Sequence, residues 1–189
     1  MRRILKDDNS IIVTKKMKYK KPVGSNVKSN RKILAVLEKE QNYFCAYTDE
    51  RFSAAFARDI EHFNPILKLK ETDNYRNWFA VSTKFNREKS DKWAKYQPIM
   101  HPTDENFEKR LWYNDGMYEV KSTDIEADNL RKYLDLNNPV LEKERKDYIK
   151  SLKDLIELGV NIENHLQKNP ITINFPRAIE TEFNIKFRY

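Results

Sequence analysis

Between residues 58 and 96 the chain reads in order as a short extended piece, a loop, a strand and a helix, and that order points to a mixed α+β fold. "RDIEHFNP" (58–65) is short and ends in Pro65, which disfavours helix in the residue before it. "NWFAVST" (77–83) has the β-branched and aromatic content of a strand. In "KFNREKSDKWAKY" (84–96), Phe85, Lys89 and Trp93 recur every four residues, as on one face of a helix. The spacing suits a compact hairpin followed directly by a helix.

The flanking stretches add local elements. Ile11, Ile12 and Val13 predict a short strand, and "KPVGSN" (21–26) a loop punctuated by Pro22 and Gly24. A helix follows from Asn30 to about Gln41, with Ile33, Val36 and Leu37 on one face and Ser29 or Asn30 as its cap. "NYFCAYTDERF" (42–52) reads as a hairpin or knuckle. Beyond Pro98, "ENFEKRLWYNDGMYEV" predicts two strands around an Asn-Asp-Gly turn. Thr123 and Glu126 form a capping-box pattern that opens a helix through Leu134. A longer helix starts at the cap Asn138 with Pro139 first, carries Val140, Leu141, Tyr148, Ile149, Leu152, Leu155 and Ile156, and stops at Gly159. No linker divides the chain. It reads as a single compact domain with a basic N-terminal arm (1–28), a core (29–98) and a helical C-terminal extension packed on it (99–189).

Composition narrows the classes. With 39% hydrophobic and 12% aromatic residues the chain folds, although 34% of it is charged. No apolar run approaches the roughly 18 residues of a membrane span, and "MRRILKDDNS" lacks the apolar centre of a signal peptide, so a cytoplasmic protein is expected. The single Cys45 excludes an internal disulfide and a four-thiolate zinc site. Residues 1–32 hold eleven Lys and Arg against Asp7 and Asp8, so this arm carries +9 of a net +7 and the remainder sums to −2. "TKKMKYKKP" (14–22) is either a polyanion-binding segment, ordered on a partner, or a solvated basic tail.

A lone histidine in an apolar strand is ordinarily a packed, hydrogen-bonded residue. His62 differs from His101 and His165 in its company: Glu61 beside it, Asn77 at the start of the second strand, and Asn86 and Lys89 on the helix. In a hairpin followed by a helix, Glu61 and Asn86 can converge on one hard divalent ion, which accepts few protein oxygens and keeps several waters. An imidazole beside it would deprotonate an attacking water, the composition of a one-metal phosphodiesterase. Asn77 and Asn86 also serve as ordinary strand and helix caps, and Lys84 and Arg87 as solvated helix charges. Asp59 either orients His62 or pairs with an arginine such as Arg51.

"DIEHFNP…NWFAVSTKFNREKSD" resembles the HNH endonuclease motif, whose fold is the ββα-metal core. The resemblance implies Glu61 as first metal ligand, His62 as general base, Asn77 as the residue that braces the loop and orients the histidine, and Asn86 as second metal ligand. It implies Lys89 near the phosphate backbone and Mg²⁺ or Mn²⁺ as cofactor; Arg87 and Lys84, on the same helix, are expected as further nucleic-acid contacts. "FCAYTDERF" and "LDLNNPVLEKER" extend the resemblance to the PtuB subgroup, the nuclease subunit of Septu anti-phage systems, some linked to retrons. That implies nucleic acid as substrate, an ATPase partner of the PtuA type, in some systems a retron RNA or DNA component, and no membrane. The ATPase would meet either the basic arm 1–32 or the helix 139–158. Many relatives bind a structural zinc through two CxxC pairs; here those positions are Cys45, Thr48, Ser82 and Phe85, so no zinc is expected, and Phe85 should pack with Phe44 or Tyr47 in its place. Two other readings stay open: an inactive nucleic-acid or protein-binding subunit, and a nuclease acting on RNA such as tRNA.

Overall fold

β-forming side chains in two five-residue stretches pair them into a hairpin: β1 (Arg58–His62) runs antiparallel to β2 (Trp78–Ser82), with Glu61 opposite Phe79 and His62 opposite Trp78. The structure, a computed structural model, describes the chain except residues 56, 90, 91, 188 and 189, and at 87–89 the backbone alone. Side chains leave a strand alternately to either side, and here both sides are covered. Phe79 and Val81 join a large core with Phe44, Tyr47 and Phe63, while Trp78 and Ala80 join a smaller one with Ile12, Ile33, Leu37 and Tyr75. A two-stranded ribbon is marginal in water, so this double cover holds it together. Gln41 closes the open edge of β2, donating from Nε2 to the Ala80 carbonyl and accepting from the Ala80 N–H, each at 2.8 Å.

The N-terminal region departs from expectation in two elements. Ile11, Ile12 and Val13 form not a strand but a single helical turn, α1 (Ile11–Thr14), because Ser10 caps it by accepting from the Ile12 N–H at 3.2 Å. The basic segment is ordered on the chain's own core. Met1 and Ile12 are buried, Arg2 Nε meets Asp49 Oδ1 at 2.8 Å, and the Lys6 ammonium lies over the rings of Tyr75 and Phe79. The second element is α2 (Asn26–Glu40), which starts four residues before Asn30 with neither Ser29 nor Asn30 as its cap, because the Asn30 amide binds the Lys20 backbone instead; its buried face carries Ile33 and Leu37.

Asp49 ties this segment to the C-terminal part, since its Oδ2 accepts from the Arg177 N–H at 2.9 Å. Burial pushes its carboxyl up, but the Arg2 guanidinium and that N–H prevail and hold it below the usual carboxylate range. A carboxyl with a lower pKa folded than unfolded contributes stability fully above about pH 4 and loses it as pH falls through the folded value. Urea midpoints measured from pH 6 downward should therefore fall less steeply with acid in Asp49→Asn than in the native chain; parallel curves would remove Asp49 from the acid response.

After β2 the chain enters α3 (Thr83–Lys89) without a loop, but the helix expected over 84–96 is not one element: Trp93–Tyr96 form a separate 3₁₀ turn, so Trp93 does not continue the face of Phe85. The C-terminal part begins with the short α4 (Phe107–Arg110) and a second hairpin, β3 (Leu111–Asn114) and β4 (Met117–Val120). Its turn residues Asp115 and Gly116 have φ of 40° and 82°. A Cβ on Gly116 would also stand 2.8 Å from the Lys146 Cγ. Gly116→Ala should cost about 1–2 kcal/mol from the left-handed backbone alone, measurable as a lowered urea midpoint, and an unchanged midpoint would refute it.

Asp124, not Thr123, caps α5 (Ile125–Tyr133), accepting from the Ala127 N–H at 3.1 Å. Its carboxylate also receives two hydrogen bonds from Arg110, at 2.7 and 2.8 Å, which a hydroxyl cannot match. The long helix α6 (Pro139–Glu157) starts at Asn138 as expected, and its buried face is Leu141, Arg145, Ile149 and Leu152. Arg145 is fully buried and donates from Nη1 to the Gly116 and Leu136 carbonyls, pinning the second hairpin. The chain ends in α7 (Ile162–Lys168) and α8 (Pro176–Phe183). The whole is an α+β fold with two small antiparallel sheets and eight α-helical segments among the described residues. None of those helices is long and apolar enough to cross a membrane.

Candidate active site

The loop joining β1 to β2 is closed by amides. Asn77, at the end of the 3₁₀ turn Tyr75–Asn77, accepts from the Asn64 N–H at 2.7 Å and donates to the Asn64 carbonyl at 3.1 Å. Asn64 caps the turn Pro65–Leu67 by accepting from the Ile66 N–H. The same Asn77 amide donates to Asp73 Oδ1 at 2.9 Å, and the Trp78 indole N–H donates to that oxygen at 2.8 Å. The other Asp73 oxygen, Oδ2, lies 3.1 Å from His62 Nε2. Asn77 thus reaches His62 through Asp73, a residue that sequence reasoning passed over; the signal available was an acidic residue four positions before the asparagine.

His62 ends β1 and has a side chain 3% exposed. The Tyr19 ring stands edge-on to its imidazole at 4.5 Å between centroids, and Trp78 lies 6.3 Å away. Burial drives the imidazole pKa down to about 4, outweighing the raising effect of the Asp73 carboxylate, so the ring is neutral at pH 7. The contact falls short of hydrogen-bond geometry, but a carboxylate can only accept, so at this distance its charge favours the tautomer with the proton on Nε2 and the lone pair on Nδ1.

Asp59 and Glu61 leave β1 on the side opposite to His62. Glu61 is buried and accepts from the Tyr47 hydroxyl at 3.4 Å. Asn86, on α3, donates from Nδ2 to Asp59 Oδ2 at 3.2 Å. The helix amide therefore meets the hairpin at Asp59, two residues from Glu61. Arg51 is not the partner of Asp59: its guanidinium donates to the Ile173 and Pro170 carbonyls. Lys84 is exposed at the start of α3, while the side chains of Arg87 and Lys89 lie outside the described residues. Among the described residues no group of three or more His, Cys, Asp or Glu gathers in a way that could hold a metal.

At the knuckle, Cys45 is buried and its sulfur accepts from the Ser82 N–H at 3.4 Å. Burial raises the thiol pKa, so it stays protonated. Cys45, Ser82 and Phe85 line one cavity of about 110 Å³ with Glu50 and Val140.

In comparison with known proteins, no family model, no curated protein and no solved structure matches this chain.

Proposed function

We propose that the chain is a metal-dependent endonuclease of the HNH type, with β1, β2 and α3 as its ββα core, hydrolysing phosphodiester bonds of nucleic acid. The observation that carries this reading is the contact of Asn86 with Asp59: it brings the helix amide to the side of the hairpin from which Glu61 projects, while His62 leaves the next position onto the other side at the strand's end, so the phosphate would have to lie across that end. Two carboxylates and an amide oxygen are hard donors, and Mg²⁺ or Mn²⁺ needs few protein ligands. The chemistry of these donors fits such an ion, which Glu61 and Asn86 would hold with Asp59 once the Asn86 amide, whose Nδ2 faces Asp59 here, turns its Oδ1 inward. When bound, it would neutralise charge on the phosphate and the leaving oxygen.

The chain's own residues supply the rest. Neutral His62 takes a proton from the attacking water at Nδ1, and Asp73 fixes the tautomer and ring orientation. Asn77 holds the loop on which Asp73 sits. Lys84, with Arg87 and Lys89, contacts phosphate. By the resemblance alone, the reading extends to a nuclease effector in an anti-phage complex with an ATPase; co-purification after truncating 1–32 or replacing exposed residues of 139–158 tests that partner.

The direct test is a metal titration of cleavage on defined DNA and RNA. Glu61→Gln and Asn86→Ala should each raise the Mg²⁺ or Mn²⁺ requirement by at least about 10–100-fold, since even an outer-shell partner of a ligand is worth that much. Unchanged titrations would discard the metal assignment, and a native chain that binds nucleic acid without cutting it would favour the binding-subunit reading.

A further inference from the structure

The stretch "KKMKYKK" (15–21) lies on the His62 side of the hairpin, and its side chains alternate. Met17 and Tyr19 turn inward onto the small core of Ile12, Ile33, Tyr75 and Trp78, whereas Lys15, Lys16, Lys18, Lys20 and Lys21 are exposed. Such alternation marks an extended strap, yet among the described residues it has no strand partner. It is tied at two points: the Met17 N–H donates to the Ile12 carbonyl at 2.9 Å, and Asn30 of α2 brackets Lys20, accepting from its N–H at 3.2 Å and donating to its carbonyl at 2.6 Å. Beyond it, residues 22–25 are exposed and include Gly24 at φ 53°. Tyr19 is the inward residue that lies against the His62 ring, and the Lys68 ammonium from the β1–β2 loop sits 5.8 Å from its ring centre. Burial, with the negative charges of Asp59 and Asp73, raises the Tyr19 hydroxyl pKa, so this cover is a neutral phenol that both acidic groups sense.

No ion pair among the described residues joins any of the five lysines of the strap. Their outward face carries no apolar side chain, unlike a segment that enters a lipid surface. Charges on alternate residues of an extended chain stand about 6.6 Å apart, a row suited to a flexible polyanion, and an aromatic ring interleaved with lysines is the combination that binds single-stranded nucleic acid.

We propose that this strap guides a nucleic-acid backbone to the site and that Tyr19 is a displaceable cover of His62: phosphates engaged by Lys16, Lys18 and Lys20, with Lys68, draw the strap off the sheet and uncover the imidazole. The proposal rests on the nuclease reading only for what His62 then does. Its tests need no cleavage.

In EDTA, a fluorescein-labelled oligothymidylate titrated by anisotropy should bind the Lys16→Gln/Lys18→Gln/Lys20→Gln chain at least about tenfold more weakly than the native chain. The slope of log K against log salt should shrink by about 2, three phosphate contacts on a single strand. Unchanged affinity and slope, or equal displacement by polyglutamate, would overturn the guide. The cover is read from carbethoxylation of His62, followed by mass spectrometry. It should be several times faster in Tyr19→Ala than in the native chain and in Tyr19→Phe, with thermal midpoints recorded alongside; equal rates would overturn the cover. Finally, 3-fluorotyrosine placed at 19 should shift toward its solvent-exposed fluorine resonance on adding oligothymidylate, and a signal that does not move would overturn displacement. A chain that passes all three and cuts nothing sinks the nuclease reading alone; a cutting chain that fails them sinks the strap alone.

Discussion

Replacing His62 by alanine should lower single-turnover phosphodiester cleavage by about 10²–10⁴-fold at saturating metal, the span of a lost general base. The physical reason is that the ring is neutral and held. Burial keeps the imidazole unprotonated at pH 7, and the nearby Asp73 carboxylate directs the proton to one nitrogen, leaving the other basic. The substitution also opens a void beside Tyr19 and Trp78, so a loss of stability accompanies the loss of rate. The two are separable: at a temperature where circular dichroism shows the variant fully folded, the rate deficit should persist, and His62→Gln, which fills more of the void, should not restore it. A folded His62→Ala chain that cuts within a few-fold of the native rate would show that another group takes the proton.

What the sequence revealed was local, and what it concealed was not. The first hairpin, the start of α3, the Asp115–Gly116 turn and the Asn138–Pro139 start of α6 are written in neighbouring residues: a proline, a glycine with positive φ, a capping amide. The region 11–13 misled because three β-formers in a row outweighed, on paper, the serine before them, whereas in the fold the Ser10 hydroxyl secures a helical turn. The cap of α5 moved by one residue because Arg110, 14 positions earlier, selects a carboxylate. At the candidate site the residue types were legible but not their pairings. Asn86 meets Asp59, 27 positions away, through the packing of α3 on the hairpin, and Tyr19 reaches His62 from a segment that reads as a charge run. Asp73 sits in an irregular loop where no periodicity points to it.

That loop carboxylate makes the sharpest division between bracing and chemistry. In Asp73→Ala the Trp78 indole N–H and one Asn77 amide N–H lose a buried acceptor, while Asn77 keeps its bonds to Asn64. Each orphaned buried donor costs about 1–3 kcal/mol, so the variant should lose about 2–4 kcal/mol of stability and its activity with it. Asp73→Asn is the informative change. Its amide oxygen can still accept from Asn77 and Trp78, so the loop keeps its closure and the thermal midpoint should stay near that of the native chain. The amide nitrogen then faces His62 Nε2 and presents a donor where the carboxylate presented an acceptor. The imidazole must answer by moving its proton to Nδ1, which removes the lone pair from the nitrogen assigned to catalysis. The expected result is a kcat lowered by about 10–100-fold with KM little changed, the scale of losing a residue that orients a functional histidine. Nitrogen NMR of the His62 ring, which distinguishes protonated from unprotonated imidazole nitrogens, should show Nε2–H in the native chain and Nδ1–H in Asp73→Asn, whether or not any substrate is cut. A native tautomer retained in the variant, with native kcat, would reduce Asp73 to a brace of the loop and leave the orientation of His62 to Tyr19 and Trp78.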